Sequence, residues 1–290
     1  MSDTRVLNNI LGAPGRHWVG DGFPVQTLFD YNRAGMELSP FLLLDYAGPT
    51  DFPPTAAKLG VGEHPHRGFE TVTIVYSGEV EHRDSAGGGG TIGPGDVQWM
   101  TAGSGLVHEE FHGRHFARQG GRFEMFQLWV NLPARFKMSK PRYQGIPKSD
   151  IPVGSIPGVE GSLRVIAGNG LGATGPAKTH SPLQVLDMEL RGGQHVELDV
   201  PDGHSLALAL RHGEIETGAG KRVSAAQVGI FHTTGSRVCF DTRGDVALLL
   251  LSGEPLNEPI AGSGPFVMNT SAEIRQALAD FHSGKMGRLG

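Results

Sequence analysis

Residues 62–73 read GEHPHRGFETVT. Two histidines, His64 and His66, stand one residue apart, Glu70 follows four residues later, and glycines flank the group before a β-branched run begins. Surface polarity is the plain reading of such a stretch. A metal site on a strand is the sharper one. On a strand, side chains at i and i+2 share a face, so His64 and His66 point the same way. Glu70 has the same parity, provided the strand runs unbroken.

Forty residues on, GLVHEEFHG (105–113) offers His108 and Glu110, again at i and i+2. Two facing strands would bring three imidazoles and one or two carboxylates to one point. Such a nitrogen and oxygen set suits a first-row transition metal with positions left open. Parity alone leaves Glu70 and Glu110 both available as the carboxylate. The same residues spell HEEFH (108–112), the zinc-protease pattern. That chemistry needs a helix, because i and i+4 must share a face. Gly103, Gly105 and Gly113 bracket the segment too closely for one. His112 and His115 are then expected at the surface or behind the ligands.

The rest of the chain reads as β-structure. The length of 290 residues accommodates two domains of roughly 140. The 44 glycines are about twice the usual share of roughly 7%, which points to many tight turns. Apolar and β-branched runs such as TVTIVYSG, VQWMTAG, FEMFQLWVNL and VALLLL are cut by Gly, Pro and Asp. The four glycines 87–90 resemble a phosphate loop only superficially. No Lys-Ser/Thr follows and no helix opens there, so a hairpin tip is expected. PARFKMSKPRYQGIPKSDIP (133–152) turns basic and Pro-rich and reads as a linker with a short helix after Pro133. At the end, TSAEIRQALADFHSG changes period. Thr270 and Glu273 form a capping box, Ile274, Leu278 and Phe281 fall at i, i+4, i+7, and Gly284 supplies a stop. One helix over 271–283 is expected.

An internal repeat supports two similar domains. YSGEVE (76–81) resembles RHGEIE (211–216), and MTAGS (100–104) resembles HTTGS (232–236), at offsets of 135 and 132. Those offsets carry His64, His66 and Glu70 onto Asp199, Pro201 and Ser205, and His108 and Glu110 onto Phe240 and Thr242. Of these only Asp199 could coordinate, and one carboxylate does not hold a transition metal. His195, His204, His212 and His232 form no aligned pair on this reading, so the second domain is expected to be metal-free.

Composition bounds the function. Net charge is −5 with no long basic run, so direct nucleic-acid binding through phosphates is not advertised. Cys239 is the only cysteine, excludes an intramolecular disulfide, and is expected as a buried apolar side chain. The N-terminus lacks a signal-peptide layout and no apolar run reaches membrane-spanning length. A soluble cytoplasmic protein with no membrane role is the default.

HPHRGFETVT, HRDSAGGGGTIGPGDVQWMTAGSGLVHEE and SGEPLNEPIAGSGPFVMNT together resemble the signature stretches of the pirin family, across 62–270. The resemblance implies an all-β bicupin: two tandem jelly-roll cupin barrels, a non-haem iron in the first, and a monomeric state. It places the metal ligands on His64, His66, His108 and Glu110. Glu110 is chosen over Glu70 because pirins take the Glu two residues after the third histidine. Glu70 would then stand behind the ligands or be an ordinary barrel carboxylate. The expected domains are 1–135 (metal-binding), a linker 136–150, and 151–290 (metal-free). One divalent ion is implied, Fe(II) first, with Mn, Co, Ni, Cu or Zn fitting the same donors. The implied activity is a quercetin 2,3-dioxygenase type of oxidoreductase. A flavonol-like substrate would enter with O2, CO would leave, and Glu110 would be the catalytic base. The family's other role is non-enzymatic, a metal-dependent protein partner regulating a transcription factor or a metabolic enzyme. Among neighbours, Arg67 could orient an anion or pair with a carboxylate. His82, on an expected strand, could stand behind the ligands, but a polar surface position is the expectation. Trp99, Met100, Phe123, Met125, Phe126 and Trp129 could line a pocket but suit a core.

Overall fold

The computed structural model describes residues 3–12 and 15–290. It is dominated by strands, as the glycine count and the short β-branched runs require. The same pair of sheets is built twice. In the first copy a seven-stranded sheet runs in the order Arg142–Ile146, Val97–Thr101, Phe69–Ser77, Gly121–Asn131, Phe41–Phe52, Phe23–Asp30, His17–Val19. Its companion has four strands in the order Gly60–His66, Leu106–His112, Val80–Asp84, Gly89–Ile92. The second copy has a seven-stranded sheet centred on Gln227–Phe231, Ser205–His212 and Val246–Gly253. Its four-stranded companion runs His195–Asp199, Arg237–Thr242, Glu214–Thr217, Lys221–Ser224. The repeat seen in the sequence is thus structural. Gly78 and Gly213, from the matched YSGEVE and RHGEIE segments, sit at the same turn with φ of 82° and 78°.

Each copy has its own core. Phe23, Val75, Phe116, Phe123 and Met125 pack in the first, and Leu163, Met188, Val196, Leu208, Phe240 and Leu250 in the second. VALLLLSG is buried along its whole length, as a central strand covered on both faces must be.

The two compact units do not follow the linear division at 136–150. One comprises 1–14, 27–43 and 149–256; the other comprises 15–26, 44–148 and 257–290. The chain crosses between them inside Phe23–Asp30 and Phe41–Phe52. The expected linker is also partly structure. After a 3₁₀ turn at Ala134–Phe136, Arg142–Ile146 pairs antiparallel with Val97–Thr101. Lys137, within the basic stretch read as a linker, is buried, and its ammonium donates to Gly68 O, Asn131 Oδ1 and Val267 O at 2.7–2.9 Å. Three carbonyl acceptors around one buried cation explain why this basic residue is inside.

The tail 257–290 belongs to the unit that contains 44–148 because its apolar residues have a partner there. Phe266, Met268, Ile274, Ala277 and Met286 pack on Val107, whose side chain lies on the opposite face of its strand from His108. Arg67, beside His66, donates to Asp280 Oδ2 at 2.9 Å and to Ser104 O at 2.7 Å, so the carboxylate pairing considered for it is realised. The helix spans Ser271–His282. Its capping box forms, with Thr270 Oγ1 accepting from Glu273 N at 3.2 Å. The buried face is Ile274, Ala277 and Asp280 rather than Leu278, which is 39% exposed, because the Arg67 pairing draws Asp280 inward. A six-residue helix, Arg114–Gln119, was not foreseen. Among the described residues no helix is long and apolar enough to cross a membrane.

Phe266→Ala should therefore cost about 3–5 kcal/mol, since Phe266 is 1% exposed. The denaturation midpoint of the unit that contains 44–148 should fall without a change in slope, and the tail should become sensitive to proteolysis. An unchanged midpoint would show that the tail does not stabilise this unit.

Candidate metal centre

HEEFH lies on the strand Leu106–His112, which disposes of the helical protease arrangement. That strand pairs antiparallel with Gly60–His66, His108 opposite His64 and Leu106 opposite His66. Three imidazoles consequently converge. Ring centroids are 4.9 Å apart for His64 and His66, 4.2 Å for His64 and His108, and 4.8 Å for His66 and His108. One ligand atom from each lies within 4.8 Å of the other two. His66 and His108 are buried and His64 is partly exposed.

Gly68 explains the fate of Glu70. It has φ +87°, and a Cβ there would sit 2.0 Å from Val267 O. The chain turns at this glycine, so Glu70 enters a different sheet from His66 and the parity shared on an unbroken strand no longer applies. Thr101 Oγ1 donates to Glu70 Oε1 at 2.6 Å. Burial pushes the Glu70 carboxyl up to about 7, against the Thr101 hydrogen bond that lowers it. The folded state therefore keeps a proton that the unfolded chain releases between pH 4.5 and 7. This contribution to stability is full below pH 4.5 and is lost as pH rises to about 7. Glu70→Gln should remove it. Relative to wild type, the variant should gain on the order of 3 kcal/mol between pH 4 and pH 8. Parallel stability–pH curves for the two proteins would contradict the assignment.

Glu110 does not sit with all three histidines. A register shift between His108 and Glu110 places it opposite Val61 on one side and His82 on the other. It joins a second cluster, His82, His108 and Glu110, again with ligand atoms within 4.8 Å. His108 is common to both clusters. Gln98 Nε2 donates to Glu110 Oε1 at 2.5 Å, and Tyr143 Oη donates to Gln98 Oε1 at 3.3 Å. The tyrosine thus fixes which end of the Gln98 amide faces the carboxylate.

The donor chemistry fits a divalent cation. His64 Nδ1 donates to Gly62 O at 2.8 Å and His66 Nδ1 to Pro265 O at 3.2 Å. A carbonyl can only accept, so in the neutral form of each ring the hydrogen is on Nδ1 and Nε2 is bare. His108 Nε2 is buried without any hydrogen-bond partner, a costly state for a polar atom unless something binds it. Burial, reinforced by the neighbouring imidazoles, lowers His66 to about 3 and His108 well below the ordinary histidine value. Both rings are neutral across the physiological range and have no proton for a cation to displace.

Several neighbours differ from expectation. His82 is buried, not at the surface, and stacks on Tyr143 at 4.9 Å. His112 is buried among Phe23, Phe52, Phe116 and Phe123 and donates to Gly22 O at 2.8 Å, while His115 is exposed as expected. Trp99, Met100, Phe123, Met125 and Phe126 are core, but Trp129 is partly exposed and stands edge-on to His66 at 5.4 Å.

In the second copy the strand equivalent to Gly60–His66 is His195–Asp199, and the equivalent of Leu106–His112 is Arg237–Thr242. Phe240 is opposite Val196 and Val238 opposite Leu198. The three histidine positions thus fall on Val196, Leu198 and Phe240, all core residues. The first two differ from the Asp199 and Pro201 given by the 135 offset, because the connection between Asp199 and Ser205 is three residues longer than that between His66 and Phe69, so the offset is still 132 on the earlier strand. His195 does gain aligned partners, Glu197 and Cys239, on the outward face. Both its nitrogens already face carboxylates, Nδ1 2.8 Å from Asp241 and Nε2 3.4 Å from Glu197. Cys239 is half-buried there rather than in the core.

Two family models match the chain: Pirin over residues 22–130 and the Pirin C-terminal cupin domain over residues 185–287. A Pseudomonas aeruginosa protein described as a putative quercetin 2,3-dioxygenase is 56% identical over 96% of this chain and 97% of its own length. Pirin-like protein 2 of Arabidopsis thaliana is 38% identical over 92% of this chain and 81% of its own. A crystal structure of quercetin 2,3-dioxygenase from Acinetobacter baumannii superposes with a TM-score of 0.96 at 51% identity, covering 99% of this chain and 100% of that one.

Proposed function

The chain belongs to the pirin family, and on that footing we propose that it is a metal-dependent dioxygenase of the quercetin 2,3-dioxygenase type, opening a flavonol-like ring with O2 and releasing CO. The observation that carries this reading is the buried, partnerless Nε2 of His108 beside His64, His66 and an acidic side chain. The described activity of relatives at 56% and 51% identity supports the substrate class.

His64, His66 and His108 would hold one divalent ion, Fe(II) being the expected one, with Glu110, which clusters with His108 but not with His64 and His66, as the expected fourth donor. When bound, such an ion supplies Lewis acidity that favours the deprotonated 3-hydroxyl of a flavonol and open positions for substrate and O2. The chain's own groups do the rest. Glu110 takes the hydroxyl proton. Gln98 donates to its Oε1 and so keeps the carboxylate in place. Tyr143 holds Gln98 in the donating orientation. Phe69 and Trp129 stand edge-on to His66 at 5.0 and 5.4 Å and screen that side from water.

The test is anaerobic reconstitution with Fe(II), addition of quercetin, and admission of O2. The flavonol absorption should bleach and CO should be released. If the loaded protein neither binds nor consumes any flavonol above a no-enzyme control, the enzyme reading fails and the family's partner-binding role replaces it.

A further inference from the structure

His64 and His66 have their tautomers set by backbone carbonyls, but His108 does not. Its Nδ1 lies 3.3 Å from His82 Nδ1. Between two imidazole nitrogens one must donate and the other accept, so something outside the pair decides the direction. His82 Nε2 lies 3.2 Å from Asp84 Oδ2. Asp84 is itself fixed, its Oδ1 accepting from the backbone N–H groups of Ala86 and Gly88 at 2.8 and 2.9 Å. Both residues belong to the glycine-rich tip after the Val80–Asp84 strand. Gly88 has no side chain at a point where a Cβ would lie 2.4 Å from Asp84 Oδ2.

We propose that Asp84 and His82 are positioning residues that set the tautomer of His108 and so leave its Nε2 as a lone pair. A carboxylate only accepts, so a neutral His82 donates from Nε2 to Asp84 and leaves its Nδ1 bare. His108 must then donate from Nδ1 to His82, and its Nε2 carries no hydrogen. Glu110 does not compete for His82: its Oε1 is 3.9 Å away and takes the Gln98 amide. Tyr143 stacks on the His82 face and holds the ring in plane for the relay. The inference rests on the metal reading for its purpose, but not for its chemistry. A ligating histidine commonly has its other nitrogen bound by a carboxylate or carbonyl; here a second imidazole is interposed, and the glycine tip orients the pair.

The test is two-bond 1H–15N correlation of metal-free protein labelled in histidine, which reports the tautomer of each ring. His108 should be Nδ1–H and His82 Nε2–H. Asp84→Asn should invert both. The Ala86 and Gly88 N–H groups will hold the Asn carbonyl in the Oδ1 position, turning its NH2 towards His82 Nε2. Co(II) affinity, measured by calorimetric titration, should fall about 10–100-fold in that variant. A wild-type His108 carrying hydrogen on Nε2, or a doubly protonated His82, overturns the proposal without any variant. So does an Asp84→Asn protein whose tautomers invert while Co(II) affinity is unchanged. If the wild-type tautomers are as expected but no Co(II) binds, the metal reading fails and the relay stands.

Discussion

His108→Ala should abolish metal binding altogether, the largest effect of any single substitution in this chain. His108 is the member common to both ligand clusters, is fully buried, and faces His64 directly across the strand pair. Without it His64 and His66 remain as two imidazoles on one strand, and Glu110 loses its link to them. The loss should exceed the roughly 10–100-fold expected for a supporting hydrogen-bond partner. Metal analysis of the wild type should give one equivalent per chain, since the matching positions in the second copy are Val196, Leu198 and Phe240. A thermal readout needs no activity assay. A ligand present at 1,000 times its Kd stabilises the native state by about 4 kcal/mol. At about 2–4 °C per kcal/mol, the melting temperature of the wild type should rise by roughly 8–16 °C with metal, and that of His108→Ala should not move. A variant that keeps the increment, or a wild type that binds two equivalents tightly, would refute the assignment.

The core of this site was legible because strand parity is a local rule. His-x-His and His-x-Glu each put two groups able to ligate on one face, and antiparallel pairing brought His64 opposite His108. The capping box at Thr270 and the two matched turns were equally local and formed as read. What could not be read depends on distant partners. Residues 257–290 follow the second repeat in sequence yet pack on Val107, and nothing in a helix's own periodicity says where its apolar face will dock. Asp280 is buried because Arg67, 213 residues away, meets it. The break at Gly68 was signalled by the glycine itself, but only the carbonyl of Val267 shows why no other residue fits. His82 was the readable residue that was missed. In EVEHRDS it shares parity with Val80 and Asp84, not with Glu79, Glu81 and Arg83, and Val80 is buried. The apolar member of the alternation marked the inward face.

Glu110→Gln should separate metal binding from turnover. The substitution keeps the shape of the side chain, and the new amide can offer its oxygen to Gln98 Nε2, so the Tyr143–Gln98 arrangement survives. His64, His66 and His108 are untouched, so part of the metal affinity should remain. What is lost is a group able to accept the substrate's hydroxyl proton. General-base catalysis is worth about 10²–10⁴-fold, and kcat/KM towards quercetin should fall by that factor. If Glu110 acts on the proton, a substrate analogue already ionised at the assay pH should be less affected by the substitution. If Glu110 serves only as a ligand, ionised and neutral substrates should lose activity alike, in step with the metal lost. Equal losses, or a Gln variant that keeps more than about a tenth of wild-type turnover at full metal loading, would remove Glu110 from the proton transfer and leave it a purely coordinating role.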